Sequence, residues 1–170
     1  MSRIVLVLGT DHRFQWKSSD FTDLQHQQFV TFISATALAY KVVAFAEEYN
    51  CEALDEIGKK ETVIEIMARE LAMPHRYCDP DRQTRAKLGI FQENDIRAKA
   101  FLERSKEESN IQQRIERSMR NREYYWLEQL QEFDMWPVLF ICGASHSLPF
   151  FDLLQANKID AILIAKDWSA

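Results

Sequence analysis

The run Ile4-Val5-Leu6-Val7-Leu8-Gly9-Thr10-Asp11-His12 opens with five consecutive apolar residues and then turns abruptly polar. Three of the five (Ile4, Val5 and Val7) are β-branched, which favours an extended strand covered on both faces. The same design recurs near the other end, in Val138-Leu139-Phe140-Ile141-Cys142-Gly143-Ala144-Ser145-His146. Each apolar run is followed by a G-x-x-H unit. With only four glycines and four histidines in the chain, random placement gives roughly 0.1 such matches, a small background for a short motif. A glycine there is expected for the tight turn out of a buried strand, where a residue without a Cβ is favoured.

Working outward, Lys41 to Ala46 forms a second short apolar run, ending on Glu47-Glu48. His75-Arg76-Tyr77-Cys78 makes a weaker third, ending at Asp79-Pro80, and Ala161 to Ala165 a fifth. Helical patterns fill the gaps. One runs from about Phe21 to Tyr40 behind Ser18-Ser19-Asp20 as cap, and another from Thr62 to Leu71. A long charge-laced segment, residues 92–134, is expected to be helical and broken near Ser109-Asn110, as a protruding hairpin. Ser147 is expected to cap a short helix with Pro149 in its first turn. Gly58-Lys59-Lys60 and the stretch Asp79 to Gln92 look like loops. Strands alternating with helices predict one α/β domain over residues 1–170, with a mostly parallel sheet of about five strands and helices on both faces.

Composition narrows the function. The chain has 170 residues, 21 Lys+Arg and 26 Asp+Glu, for a net charge of −5. That argues against sequence-independent nucleic-acid binding, which runs on surplus positive charge. The row Arg114, Arg117 and Arg120 is interleaved with acids and reads as a solvated face. Three cysteines without CxxC spacing suit a reducing cytoplasm, with Cys142 buried and inert. No targeting or membrane-spanning segment is visible, so a soluble cytoplasmic protein is expected, with no membrane partner. Walker, GxGxxG, HExxH and GxSxG motifs are all absent.

In open parallel sheets, ligands bind outside the carboxyl ends of the strands. Those ends carry His12, Glu47 and Glu48, Asp79, and His146. A lone histidine after a strand is ordinarily a hydrogen-bonded turn residue, but two in matching G-x-x-H units favour a site. Arg122 falls inside an apolar stripe made by Ile111, Ile115, Met119, Trp126, Leu130 and Phe133 at helical spacing, with Glu123 at its edge. A guanidinium on a core-facing stripe needs an anionic or carbonyl partner. It points either into the strand-end site or to a structural ion pair with Glu47 or Glu48. Asp79-Pro80 also reads as a turn signal. His26 and His75 read as surface or helix residues, while Phe14, Trp16 and Trp168 are candidates for an aromatic wall.

The combination of two G-x-x-H units, a Glu after the second strand and an Arg on an intervening helix resembles the TraB/TIKI group. That group belongs to a wider superfamily with the erythromycin esterases and ChaN-like proteins. The resemblance implies a pocket lined by His12, His146, Glu47 or Glu48, and Arg122, used in hydrolysis or ligand binding. Gly9 and Gly143 are the motif glycines. Some members are regarded as divalent-metal-dependent peptidases, others open a lactone, and others are linked to haem. The resemblance covers about 140 residues through scattered motifs rather than continuous similarity.

Two functions follow as expectations. The first is a small hydrolase of a small-molecule or peptide substrate. A divalent ion (Mn, Co or Zn) would be held by His12, His146 and Glu47 or Glu48, and Glu123 or Asp79 would take a proton from its water. A metal-free variant uses a histidine as general base oriented by Glu47 or Glu48. Arg122 stabilises an oxyanion or holds a substrate anion. The second is a non-catalytic sensor of a nucleotide or other anion in the same pocket.

Overall fold

The computed structural model describes residues 3–103 and 107–170. Its sheet has β4 (Val138–Gly143) in the middle, flanked by β1 (Ile4–Thr10) and β2 (Ala44–Glu47); β5 (Asp160–Trp168) pairs with β1, and β3 (His75–Tyr77) with β2. All pairings are parallel and the order is β3-β2-β4-β1-β5, so the expected parallel α/β architecture is observed. The two apolar runs that carry the G-x-x-H units are neighbours, in register from Val5 opposite Val138 to Thr10 opposite Gly143.

Alternation along the strands sorts the core into two layers. Leu6, Leu8, Phe45, Leu139 and Ile141 meet Phe14 of α1 (His12–Gln15), Phe29 and Ile33 of α2 (Asp23–Ala39), and Ile64 and Met67 of α4 (Val63–Glu70). Val5, Val7, Ala44, Ala46, Val138 and Phe140 meet Trp126, Leu127 and Leu130 of α7 (Glu108–Phe133) and Phe150 and Leu153 of α8 (Ala144–Ala156). Burying each such leucine or phenylalanine contributes on the order of 1.5–3 kcal/mol. The chain leaves β1 and β2 toward the first layer and β4 toward the second, so a crevice opens at the carboxyl ends of these three adjacent strands.

Several local expectations are corrected. Strand β1 runs through Gly9 to Thr10, and Lys41 adopts a left-handed φ of 53° that ends α2, so β2 starts only at Ala44. Thr22, not Ser18-Ser19-Asp20, caps α2, in a reciprocal capping box with Gln25. Asn50 caps an unforeseen helix, α3 (Cys51–Glu56). The supposed loop after Asp79 contains α5 (Arg82–Leu88), capped by Asp81 and closed by Gly89 at φ 66°. The long helical segment divides into α6 (Glu93–Leu102) and α7, and Ser109-Asn110 lie within α7 rather than at a break. The first half of α7 packs on α6 through Ile96, Ala100, Ile111 and Ile115. Gly143, not Ser147, is the residue before α8, which places His146 in that helix's first turns. Among the described residues no helix is long and apolar enough to cross a membrane.

Candidate functional site

Glu47 ends β2 and Glu48 follows it, and by continued alternation the two point to opposite faces. Glu47 shares the side of Phe45 and is fully buried under α1 and α4. Its carboxylate accepts from the Thr62 hydroxyl, from His75 Nε2 at 2.8 Å and from Gln15 Nε2 at 2.7 Å. Thr62 also caps α4, accepting from Glu65 N–H at 3.0 Å. His75 is therefore a half-buried network member on β3 rather than the surface or helix residue expected.

Glu48 points the other way, into the crevice, with a side chain only 1% exposed. Its Oε2 accepts from Gly143 N–H at 2.8 Å. Its Oε1 has Arg122 Nη1 at 2.8 Å, but off the line that a hydrogen bond needs, and no donor among the described residues satisfies it. Burial pushes the Glu48 carboxyl up, but the charge of Arg122, with His12 and His146 adding to it, outweighs burial and holds the group below its ordinary value. Arg122 is fixed at three points: Nε donates to Asp79 Oδ1 at 2.5 Å, Nη1 faces Glu48, and the guanidinium carbon lies 5.3 Å from the Trp126 ring centre. Both sequence readings of Arg122 hold together, since it ion-pairs with Glu48 and lines the crevice.

Asp79 is a polar hub rather than a simple turn residue. It accepts from Arg122, from Trp126 Nε1 at 3.1 Å, from Asn50 Nδ2 at 3.2 Å and from Arg85 Nη2. Burial raises its carboxyl, and the arginines Arg122 and Arg85 more than reverse that.

The two histidines are held in the same manner from different sides. His12 starts α1, and one turn later Gln15 brings its Oε1 to 2.8 Å from His12 Nδ1. Because Gln15 Nε2 is committed to the Glu47 carboxylate, which only accepts, the amide oxygen must face His12, so Nδ1 carries the proton. His146 Nδ1 lies 3.0 Å from Glu123 Oε1, and that carboxylate likewise demands a proton on Nδ1. Arg120 Nη1 stands 2.9 Å from the other Glu123 oxygen. In the neutral rings both Nε2 lone pairs are left free. They face Glu48, His12 Nε2 at 3.5 Å from Oε2 and His146 Nε2 at 3.8 Å from Oε1. Those gaps exceed a hydrogen bond, leaving the nitrogens unengaged. Trp126 supports the His146 ring edge-on at 4.9 Å.

The motif glycines serve close approach rather than a turn. Gly143 has an ordinary φ of −62°, and a Cβ there would sit 2.6 Å from His12 Nε2. A Cβ on Gly9 would collide with the Lys166 carbonyl oxygen and with Ser147. Gly9 therefore seats α8 and β5 and does not touch the histidines.

His12, Glu48, Asp79, Arg122, Glu123, Gly143 and His146 thus converge, whereas Glu47 acts beneath His12 through Gln15. Arg85, Gln15, Asn50 and Trp126 are site residues not foreseen. Tyr49 borders His12, with ring centres 6.2 Å apart, and burial next to Glu47 and Glu48 pushes its phenol up to about 12. Phe14 and Trp168 instead form a core cluster with Phe21 and Phe29, and Trp16 sits by Lys59, so these three do not build the expected aromatic wall. The cavity over the site encloses about 350 Å³ and is lined by His12, Arg85, Ile90, Phe91, Arg122 and His146, among others.

A divalent ion implied by the family resemblance needs about three protein donors converging on one point at roughly 2.0–2.2 Å. The expected ligand Glu47 is turned away from His12 and His146 and saturated by three donors. Glu48, the alternative acid, faces both histidines, but its Oε2 accepts from Gly143 N–H and its Oε1 lies 2.8 Å from Arg122 Nη1, whose positive charge competes with a cation there. No group of three or more His, Cys, Asp or Glu side chains among the described residues is arranged to hold a metal. The set His12, His146 and Glu47 does not fit a metal centre.

Fold and site together define an open parallel α/β domain with a histidine-arginine-carboxylate crevice at its strand ends. No family model, curated protein or solved structure matches the chain.

Proposed function

We propose that this crevice is the active site of a small hydrolase in which a histidine acts as general base without a metal-bound water. The observation that carries the reading is that each imidazole has Nδ1 tied to a fixed acceptor, Glu123 or Gln15, while its Nε2 makes no hydrogen bond among the described residues and the ring lines the cavity. Such orientation is what general-base work requires.

His146 is the base, because the Glu123 carboxylate stabilises the imidazolium formed when Nε2 takes a proton. A water placed against His146 and His12 loses that proton as its oxygen bonds to the substrate carbonyl carbon. The carbonyl electron pair moves onto oxygen, where Arg122 offers positive charge. Collapse of the tetrahedral intermediate expels the leaving group, which takes the proton back from His146. The resemblance to TraB/TIKI and erythromycin-esterase proteins points to the same reaction class, acyl transfer to water.

The test is turnover of a panel of esters, lactones and peptides by the purified protein, with and without chelator. His146→Ala is expected to lower kcat by about 10²–10⁴ while the fold persists. Turnover that needs added Mn²⁺, Co²⁺ or Zn²⁺ would replace the metal-free scheme with a metal-assisted one. Ligand binding without turnover on any substrate would refute the hydrolase and favour a sensor.

A further inference from the structure

The charged groups that reach the cavity are not the ones buried beneath it. Glu48, Asp79 and Glu123 have side chains only 1%, 2% and 1% exposed. They lie under the cavity floor, outside its lining. The ionisable residues that line it are His12, His146, Arg85, Arg122 and Glu93, and Glu93 is engaged by Arg97 Nε at 2.7 Å. The buried acids thus act as anchors that aim cations upward.

Each arginine retains donors beyond its anchors. Arg85 spends Nη2 on Asp79 and Nε on the Pro80 carbonyl at 3.1 Å. Arg122 spends Nε on Asp79 and sets Nη1 against Glu48. Among the described residues, Nη1 of Arg85 and Nη2 of Arg122 make no hydrogen bond, and both side chains remain about a fifth exposed, at 21% and 23%. Two guanidinium groups held on the two oxygens of one carboxylate present adjacent donors of fixed geometry. Such a fork matches carboxylate or phosphate oxygens.

We infer that Arg85 and Arg122 form an oxyanion-binding subsite beside the histidine pair, and that the ligand of this cavity is a small organic anion bearing a carboxylate or phosphoryl group. The cavity, about 350 Å³, suits a metabolite-sized molecule. The inference rests on the hydrolase reading only for the position of the cleaved bond, which lies between this anchor and His146. Positive charge at the mouth also raises the rate of encounter with anions. Ile90 and Phe91, in the same lining, supply apolar contact for the remainder of the ligand.

Calorimetry with inorganic phosphate, with succinate and with neutral succinamide, at constant ionic strength, tests the subsite without reference to turnover. Wild-type protein is expected to bind phosphate, succinate or both, and not succinamide. Phosphate alone indicates a phosphoryl ligand and succinate alone a carboxylate. Arg85→Gln is the informative variant, because Asp79 keeps Arg122, Asn50 and Trp126 and so remains compensated. It should weaken anion binding about tenfold or more, with near-UV circular dichroism unchanged. Should that variant fold poorly, the ¹H–¹⁵N resonances of the guanidinium groups in wild-type protein give a second readout, and both are expected to shift on titration. Absence of binding by either anion to tens of millimolar overturns the inference. So does a folded Arg85→Gln protein that binds as tightly as wild type, or guanidinium resonances that stay still. Anion binding through Arg85 in a protein that hydrolyses nothing would uphold the subsite while refuting the hydrolase.

Discussion

Replacing Glu47 separates the two jobs its buried carboxylate performs, compensating charge and orienting His12 through Gln15. In Glu47→Ala, the Thr62 hydroxyl, His75 Nε2 and Gln15 Nε2 lose their common acceptor in a region closed to water. An unsatisfied buried donor costs about 1–3 kcal/mol. Partial rearrangement and non-additivity bring the expected total to about 3–5 kcal/mol, the range for breaking a buried charged network. Glu47→Gln is subtler. Its amide oxygen still accepts from Thr62 and His75, but its NH₂ now meets the NH₂ of Gln15. Rotating the Gln15 amide relieves that conflict and presents Nε2–H to His12 Nδ1, which forces the imidazole proton onto Nε2. The expected cost is only about 1–2 kcal/mol, accompanied by a change of His12 tautomer. Urea denaturation gives the stabilities, and long-range ¹H–¹⁵N spectra of the histidine rings give the tautomer directly. If His12 in Glu47→Gln keeps its proton on Nδ1, the relay through Gln15 is wrong. Equal destabilisation by the two substitutions would show that charge, not acceptor geometry, is what Glu47 supplies.

Two further outcomes are expected. Gly143→Ala places a methyl 2.6 Å from His12 Nε2, so His12 must swing away; turnover should fall at least tenfold with little loss of stability, and unchanged kinetics would contradict the placement of His12. Glu48 and Asp79 titrate below their ordinary values in the folded protein, so on acidification the unfolded chain takes up protons first. Their stabilisation is complete above the normal carboxylate range near ~4 and is lost as pH falls through the folded values. Carboxyl ¹³C titration should show both groups moving later than exposed carboxylates, and coincident titration would refute the ion-pair hub.

Strand alternation carried most of what could be read from the chain. Continuous apolar runs at Ile4–Leu8 and Val138–Ile141 mark the adjacent strands β1 and β4 because both faces of each are covered. The stripe through Ile115, Trp126 and Leu130 marks α7, and Arg122 stands out within it because a charge there demands a partner. The same alternation could have chosen between the two glutamates: Glu47 follows Phe45 toward one layer, and Glu48 follows Ala46 toward the other. Helix α5 left no such trace. None of its residues is buried, so it has no apolar period, and only its ends, Asp81 and Gly89, signal a helix. Arg85 was invisible for that reason. Gln15 was equally hidden, since its role depends on Glu47 lying 32 residues away and reaching the same point only through the fold.

The arrangement of acids explains why so charged a centre keeps its shape. Burying a carboxylate is costly, and an ion pair in its place seldom stabilises a protein more than apolar groups of equal size would. Three acids here each hold a group that faces the cavity: Glu123 holds His146, Asp79 holds Arg85 and Arg122, and Glu47 holds His12 through Gln15. Glu48 lies between them, bound to the N–H of Gly143, the last residue of β4, and faced by both histidines. Were stability the only demand, one apolar plug could replace the assembly. What the buried acids provide instead is direction: they fix one side of each imidazole or guanidinium, so that the group lines the cavity in a set orientation. Preorganised donors and bases of that kind do not have to reorient when charge develops on a bound molecule. The fold supplies the rigidity, because every anchor sits at or just beyond the end of a strand or on a helix packed against the sheet.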